Sequence, residues 1–163
     1  MADLSSTVAG DLADYYEFVA QQLHKWVDPL SNEQFWHNPY PYGNSVGHLT
    51  LHLTGNLSYY IGARIAATRY VRDRDREFAE TSRPPKEQVL REFDRTIVLV
   101  VATIRKQSAG DWTREYSAER EPEAKERFAA FLRCAGHAYH HVGQIIFLSK
   151  ELARGSEPRT ASV

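Results

Sequence analysis

The sequence predicts an all-α protein, a four-helix bundle that forms one domain. Four long segments repeat apolar residues at three- and four-residue steps, and no segment alternates apolar and polar residues as a strand does. Proline and glycine residues lie between these segments, where the chain must turn. The length of 163 residues suits one domain of ordinary size. We expect this domain to span residues 1–154 and residues 155–163 to form a disordered tail.

Capping and breaking residues delimit the four predicted helices. Pro29 ends the first helix, and the dipeptide Asn44-Ser45 caps the second. Pro85 opens the third helix, and Gly155 stops the fourth. The predicted helices cover residues 4–27, 45–71, 85–104 and 123–153.

Two connecting segments have unusual compositions. Residues 30–44 are rich in aromatic side chains, including Tyr40 and Tyr42, and we expect them to cover one end of the core or to line a pocket. Residues 72–83 read RDRDREFAETSR. This density of charge predicts a solvated loop or a frayed helix end rather than a binding patch.

Charge and cysteine content narrow the class of function. The formal net charge is −1, whereas a general nucleic-acid binder carries a basic surplus. The sequence shows neither a signal-peptide pattern nor an uncharged stretch near the ~18 residues that a membrane span needs. The single cysteine, Cys134, has no disulfide partner within the chain, which suits a reducing compartment. We therefore expect a cytoplasmic protein that binds neither nucleic acid nor membrane.

Helical geometry selects three of the seven histidines. A helix advances about 100° per residue, so His137 and His141 lie one turn apart on the apolar face of the fourth helix. His140 projects roughly 60–100° away from that face. On the second helix, His52 borders the apolar face, whereas His48 lies about 40° further round. The inward set is therefore His52, His137 and His141.

Two interpretations of these three histidines are open. Hydrogen bonds alone can satisfy a buried imidazole, but three imidazoles need three sets of partners. One divalent cation satisfies all three, and imidazole suits zinc, nickel, copper and iron. Histidines four residues apart on a helix can bind the same ion. The spacing therefore favours a metal site over hydrogen-bonded core histidines.

Two motifs resemble those of a known family. The segment NSVGHLTLHLTGN, residues 44–56, resembles the second-helix motif of the DinB-like (YfiT-like) superfamily. The segment HAYHHVGQ, residues 137–144, resembles that family's fourth-helix motif, H-x-x-x-H-x-G-Q. The order and spacing of the helices agree as well. The resemblance implies a four-helix bundle that holds a metal on His52, His137 and His141.

The resemblance also implies a chemistry. Members of the superfamily bind zinc, nickel or manganese. Characterised relatives include thiol S-transferases that use bacillithiol, mycothiol or glutathione, and a mycothiol-dependent maleylpyruvate isomerase. We therefore expect one divalent ion, zinc or nickel before manganese, and transfer of a low-molecular-weight thiol to a small electrophile. Many relatives are homodimers, which implies a homodimer here.

Two other functions stay open. One is a metal-dependent hydrolase of a small ester or amide, although neither motif contains an Asp or Glu to act as an adjacent base, unlike H-E-x-x-H proteases. The other is a non-enzymatic metal-binding bundle, which would show affinity without turnover. The sequence selects no catalytic side chain and no organic cofactor.

Several motif residues have roles that spacing leaves open. His48 matches no ligand position, and we expect it to form a pocket wall or to support a ligand. Cys134 lies one turn before His137, and packing is favoured over ligation for a buried thiol. The amide of Gln144 could orient a ligand. Candidate pocket-lining residues are Tyr40, Tyr42, Asn56 and Tyr59.

The fourth helix carries a second apolar stripe, away from the histidine face. A helix that is apolar on two sides must bury both of them. Gly136 and Gly143 lie beside this stripe, where another backbone could approach closely. We therefore predict a homodimer interface along the stripe formed by Phe128, Leu132, Tyr139 and Ile146.

Overall fold

Helices make up the regular structure of the protein. The computed structural model describes residues 3–155, and within them the regular elements are helical apart from one isolated bridge between Glu115 and Glu126. The α-helices are α1 (Leu4–Val27), α2 (Asn32–Trp36), α3 (Val46–Leu57), α4 (Arg74–Ala79), α5 (Lys86–Arg105), α6 (Ala109–Trp112) and α7 (Arg127–Gly155). The all-α prediction is confirmed. Residues 156–163 of the predicted tail lie outside the described residues.

The four long helices α1, α3, α5 and α7 form the predicted bundle. Helix α1 packs against α5 and α7, and helix α3 packs against the same two helices. The core between them contains fully buried side chains such as Tyr16, Phe93 and Phe131. Full burial of one large apolar side chain stabilises a fold by about 1.5–3 kcal/mol. The Tyr16 hydroxyl donates a hydrogen bond to the Phe131 carbonyl oxygen at 2.7 Å and so ties α1 to α7.

A buried lysine joins the end of α1 to the start of α5. The side chain of Lys86 is only 8% exposed. Its ammonium donates hydrogen bonds to the carbonyl oxygens of Asp28, at 2.9 Å, and Leu30. The last carbonyls of a helix have no partner within the helix, so this cation satisfies groups that burial would otherwise leave unpaired.

The second predicted helix is shorter than expected. We predicted it to reach residue 71, but α3 ends at Leu57, and a π-helical segment, Ser58–Ala63, follows it. The amide of Ala66 then donates to the carbonyl oxygen of Ile61 at 2.9 Å, and Ala67 adopts a left-handed φ of 55°. A left-handed residue cannot continue a right-handed helix, so the chain turns back here. Periodicity does not reveal this turn because the apolar pattern itself continues.

The charged segment 72–83 was predicted to be solvated, and this prediction is wrong for its centre. The segment contains helix α4, which packs against α3 and is capped by the Asp73 side chain. Glu77 on this helix is buried, with 6% exposure. The density of charge in the sequence did not predict this burial. Glu77 is paired with a cationic side chain within the fold, and this pairing replaces its hydration by solvent.

The ends of the fourth helix also differ from the prediction. Helix α7 begins at Arg127 rather than residue 123, because the amide of Tyr116 bonds to the carbonyl oxygen of Lys125 at 2.8 Å and keeps that stretch extended. It continues past residue 153 through Gly155, the last described residue. Leu152 is buried, which keeps the final turns packed on the core.

The aromatic connector forms one end of the bundle, as predicted. Within it, α2 begins with a capping box in which Ser31 and Gln34 exchange hydrogen bonds. Phe35 and Trp36 are buried, and the Trp36 indole donates to the carbonyl oxygen of Pro84 at 2.9 Å. No helix within residues 3–155 is both long and apolar enough to span a bilayer.

Candidate metal centre

Helices α3 and α7 bring together the three histidines that the sequence selected. His52 lies on α3, and His137 and His141 lie one turn apart on α7. The ring centroids are separated by 5.1 Å for His52 and His137, 4.8 Å for His52 and His141, and 4.5 Å for His137 and His141. One potential ligand nitrogen of each residue lies within 4.8 Å of the others. We call these three residues the histidine triad.

A buried ion pair orients His52. Its Nδ1 lies 2.8 Å from Oε2 of Glu77, and both side chains are at most 6% exposed. Arg72 donates to both carboxylate oxygens of Glu77, at 2.7 and 2.9 Å. The pKa of Glu77 is lowered, because the hydrogen bonds and charges of Arg72 and His52 outweigh the opposing effect of burial. Glu77 therefore accepts the Nδ1 proton of His52 and leaves the Nε2 lone pair of that ring to face the triad.

The side-chain amide of Gln144 orients the ring of His141. The His141 Nδ1 donates to the Gln144 Oε1 across 2.7 Å, which assigns the proton to Nδ1 and the lone pair to Nε2. The Nε2 of His52 and that of His137 lie 3.0 Å apart. Since His52 presents a lone pair there, this contact requires a proton or a cation between the two nitrogens.

The electrostatics of the cavity favour the neutral form of His137 and His141. Burial lowers the pKa of His137 to about 3, and the positive charges of His141, His52 and Arg72 contribute to this shift. Burial likewise lowers the pKa of His141 to about 4, with His52 and His140 adding to the effect and the Gln144 hydrogen bond opposing it. Neutral imidazole is the form that binds metal, so the donor chemistry fits a divalent ion.

The triad forms one wall of a cavity of about 410 Å³. Arg74, Arg120 and Glu121 also line it. Arg120 adopts a left-handed φ of 66°, an uncommon conformation for a side chain of this size. The turn that carries Arg120 is held by Tyr60, which donates to the carbonyl oxygen of Glu119 at 3.1 Å. Tyr60 belongs to the π-helical segment, so this irregular turn positions groups at the cavity.

Asn56 completes the wall one turn beyond His52. The residue is 5% exposed and lines the triad cavity. Its Oδ1 is buried and accepts no hydrogen bond from the described residues. Buried polar atoms in native proteins are almost always paired, so this oxygen is an exception among the described residues.

The other candidate residues do not belong to the triad. His48 bonds through Nδ1 to the Ser45 hydroxyl at 2.7 Å and through Nε2 to the carbonyl oxygen of Glu80 at 3.0 Å. His140 is exposed beside His141. Cys134 is buried, and burial raises the pKa of its thiol to about 12, as expected for a packing residue. Tyr59, a candidate pocket residue, lines a neighbouring cavity.

Sequence reasoning missed Glu77 and Arg72. Both lie in the charged segment that we expected to be solvated. One signal was present in the motif: Gly55 lies inside a helix, and such a glycine often marks a close packing contact. A Cβ placed on Gly55 would collide with the Glu77 carboxylate. The glycine indicates that something packs there, but it does not identify the partner.

The fold agrees with the comparisons with known proteins. The chain belongs to the DinB superfamily, whose family profile matches residues 15–145, a range that includes the whole triad. Among solved structures, a DinB-like protein from Bacillus cereus ATCC 10987 has a TM-score of 0.66 and 12% sequence identity, over 87% of this chain and 91% of that chain. At that identity the likeness shows the fold alone. No protein of curated function matches the chain.

Proposed function

We propose that the protein holds one divalent metal ion on His52, His137 and His141 and transfers a low-molecular-weight thiol to a small electrophile. One observation carries the proposal: three imidazoles converge on a cavity, and the carboxylates of Glu77 and Glu121 near it are already paired with other side chains. Membership of the DinB superfamily supports it.

The donor set favours zinc or nickel over manganese. Imidazole nitrogen suits the first two ions, whereas manganese prefers oxygen ligands. A divalent ion held by these three residues would supply Lewis acidity and would lower the pKa of a thiol or a water bound to it. Glu77 and Gln144 fix the rings of His52 and His141 in advance, which reduces the entropy lost on binding.

The carboxylates around the cavity favour a thiol over water as the nucleophile. Hydrolysis by water benefits from a free general base within hydrogen-bond reach. Glu77 is held by Arg72 and His52, and Glu121 is held by Arg133 at 2.7 Å. The pKa of a thiol is far lower than that of water, so a thiol can form its nucleophilic thiolate without a general base.

The charge of the cavity supports an anionic thiol. Arg74 and Arg120 line it, and the charge of Glu121 is balanced by Arg133. A thiol that carries a carboxylate would be attracted to these guanidinium groups. Such thiols are kept reduced in the cytoplasm, which is where we place the activity.

Metal analysis of protein purified without a histidine tag tests the ligand set. We expect one equivalent of zinc or nickel in the wild type, and loss of the ion in each of His52→Ala, His137→Ala and His141→Ala. His48→Ala and His140→Ala are matched controls on the same two helices and should retain the ion. If His48→Ala loses the ion while His52→Ala keeps it, the assignment is wrong.

Thiol conjugation tests the reaction. Metal-loaded protein is assayed with bacillithiol, mycothiol, glutathione and cysteine against 1-chloro-2,4-dinitrobenzene and iodoacetamide. The thiol sulfur forms a bond to the electrophilic carbon, the halide leaves with the bonding electrons, and the thiol proton passes to solvent. We expect turnover with at least one thiol, and none in His137→Ala. Intact metal binding without conjugation of any thiol would overturn the proposal.

The same preparations separate the two alternatives. Release of product from small esters or amides without added thiol would favour the metal-dependent hydrolase. Metal affinity with neither reaction would favour a non-enzymatic metal-binding bundle.

A further inference from the structure

A second cavity adjoins the triad cavity. Its volume is about 800 Å³, against about 410 Å³ for the triad cavity. The two cavities share Asn44, Leu49 and Gln144 as lining residues. Gln144 is also the hydrogen-bond acceptor of His141. The boundary between the cavities therefore lies beside a candidate metal ligand.

Three parallel aromatic rings form one wall of this second cavity. The rings of Tyr40 and Tyr42 have centroids 5.6 Å apart and an angle of 17° between their planes. Phe147 stacks on Tyr40 with a centroid distance of 5.9 Å and an angle of 13°. Tyr42 is 73% exposed and Phe147 56% exposed, so these rings are not core residues. We call Tyr40, Tyr42 and Phe147 the aromatic platform.

The loop that carries the platform is fixed by its own hydrogen bonds. The Asn38 amide donates to the carbonyl oxygens of Tyr42, at 3.0 Å, and Gly43, at 3.2 Å, and it accepts from the Tyr40 amide at 3.2 Å. Gly43 has a φ of +77°, which glycine adopts without strain. A site whose rings are already in place loses little entropy when a ligand binds.

The chemistry of the lining indicates the ligand. None of the lining side chains of this cavity, all within residues 3–155, is Asp, Glu, Lys or Arg. Glu151 interacts with the Tyr40 hydroxyl from outside the lining, and its charge is balanced by Arg154 at 3.0 Å. The triad cavity differs, since Arg74 and Arg120 line it. Tyr42 and Phe147 each use one face to stack on Tyr40, and the exposure of both rings leaves their other faces for a flat partner, because offset stacking aligns π faces. The ligand that fits is therefore planar and uncharged where it contacts the platform.

We propose that the aromatic platform binds the electrophilic co-substrate and that this co-substrate is a neutral, planar aryl or conjugated molecule. The volume suits a small ligand. The identification of this ligand as the electrophile rests on the proposed function. The binding of a planar molecule to the platform is independent of that function. With an aryl halide, a carbon–sulfur bond forms, the carbon–halogen bond breaks, halide leaves, and the proton of the low-molecular-weight thiol passes to solvent.

Binding of 2-naphthol to metal-free protein tests the platform directly. The comparison ligand is decahydro-2-naphthol, which has the same carbon skeleton without the planar π system. Isothermal titration should give affinity at least about fivefold higher for 2-naphthol, the effect of a stacking contact. Equal affinity for the two ligands would overturn the proposal.

Two glycines on α7 supply a matched pair of variants. A Cβ on Gly143 or on Gly136 meets nothing within 4 Å in the same chain, so the backbone at both positions accepts a β-carbon. Gly143 lines the platform cavity, whereas Gly136 lines a different apolar cavity beside α1. We expect Gly143→Leu to weaken 2-naphthol binding at least about tenfold by filling the cavity, and Gly136→Leu to leave it within about twofold. The reverse result would place the ligand in the other cavity and contradict the assignment.

Platform variants and a paramagnetic ion complete the test. Tyr42→Leu and Phe147→Leu should each weaken 2-naphthol binding about three- to tenfold. In cobalt-loaded protein, the proton resonances of bound 2-naphthol should broaden strongly because the platform cavity adjoins the triad. Binding without broadening would show that the ligand lies elsewhere and would overturn the proposal.

These readouts separate the two proposals from each other. If 2-naphthol binds the platform while no thiol is conjugated, the platform stands as a ligand site and the transferase fails. If iodoacetamide is conjugated but 2-naphthol does not bind, the transferase stands and the platform fails.

Discussion

The carboxylate of Glu77 accepts a hydrogen bond from Nδ1 of His52 across 2.8 Å, with both side chains buried. This contact joins helix α4 to helix α3 and determines which nitrogen of His52 faces the triad. The negative charge of Glu77 also makes the imidazole a stronger metal ligand. The hydrogen bond pulls the Nδ1 proton toward the carboxylate, and this raises the electron density at Nε2. Arg72 holds the carboxylate in turn, so the orientation of the proposed ligand depends on two residues that do not touch the ion.

Glu77→Gln should weaken metal binding while the bundle stays folded. The amide keeps the size of the side chain but loses the charge that both His52 and Arg72 contact. Removing such a partner typically weakens metal affinity about 10–100-fold. Zinc affinity is measured by competition with a chromophoric chelator, and folding by circular dichroism. Asp75→Asn, an exposed carboxylate on the same helix, is the control. A zinc affinity within twofold of wild type would show that Glu77 does not tune the site.

Gly55→Ala should reduce both stability and metal affinity. The added methyl group would collide with the Glu77 carboxylate, which cannot swing away without leaving Arg72 and His52. Overpacking of this kind destabilises a protein by about 1–3 kcal/mol. Gly10→Ala, at an exposed position of α1, should instead stabilise by up to about 1 kcal/mol through helix propensity. Urea denaturation and chelator competition compare the two variants, and equal stabilisation by both would contradict the role of Gly55.

The sequence predicted the residues that repeat along a helix and missed those that do not. His52, His137 and His141 follow the helical period, so a wheel separates them from His48 and His140. Nothing in the period of α3 indicates that it changes to a π-helical segment at Ser58–Ala63, because the apolar stripe continues through the change.

The supporting residues of the site were unpredictable for a different reason. Arg72 and Glu77 belong to a run of charges, and composition cannot tell a solvated charge from a buried one. Their burial depends on a tertiary pairing between two charged groups and on the absence of a side chain at Gly55. The position of the aromatic connector was easier to predict, because exposing four aromatic rings of one loop to water is unfavourable.

His24 should make folding stability depend on pH. Its two ring nitrogens contact Asp28 at 2.9 Å and Asp94 at 2.7 Å. Partial burial opposes the charged form, but the two carboxylates outweigh it and raise the pKa of His24. A raised pKa in the folded state gives stability that is complete below the unfolded pKa of about 6.5 and is lost as pH rises through the folded pKa.

The His24 contribution is isolated by a substitution. The free energy of unfolding of wild type relative to His24→Gln should be largest below pH 6.5 and should fall as the pH rises above that value. Urea denaturation at pH 5.5, 7 and 9 measures the difference. If this difference in the free energy of unfolding increased toward pH 9, the pKa of His24 would be lowered rather than raised.

Helices α1 and α7 present an exposed aromatic face that we expect to pair with a second copy of the chain. The rings of Tyr15, Phe18 and Tyr139 lie 6.1–6.2 Å from one another, and each ring is between 37% and 44% exposed. Leu132, 55% exposed, extends the face along α7. Clusters of exposed apolar side chains often mark protein–protein interfaces. A twofold axis would place this patch against its own copy, so each side chain meets a matching surface.

Charge introduced into this face should therefore break the dimer. Leu132→Glu and Tyr139→Glu each place a carboxylate where an apolar interface would have to desolvate it, and both should convert a dimer to a monomer at micromolar concentration. Val98→Glu is the control, because Val98 is 68% exposed on α5, outside this face. Light scattering gives the masses, and the triad should bind metal equally in all three variants because none touches it. A wild-type mass of one chain at micromolar concentration would rule the dimer out, and a dimer that persists in both face variants would move the interface elsewhere.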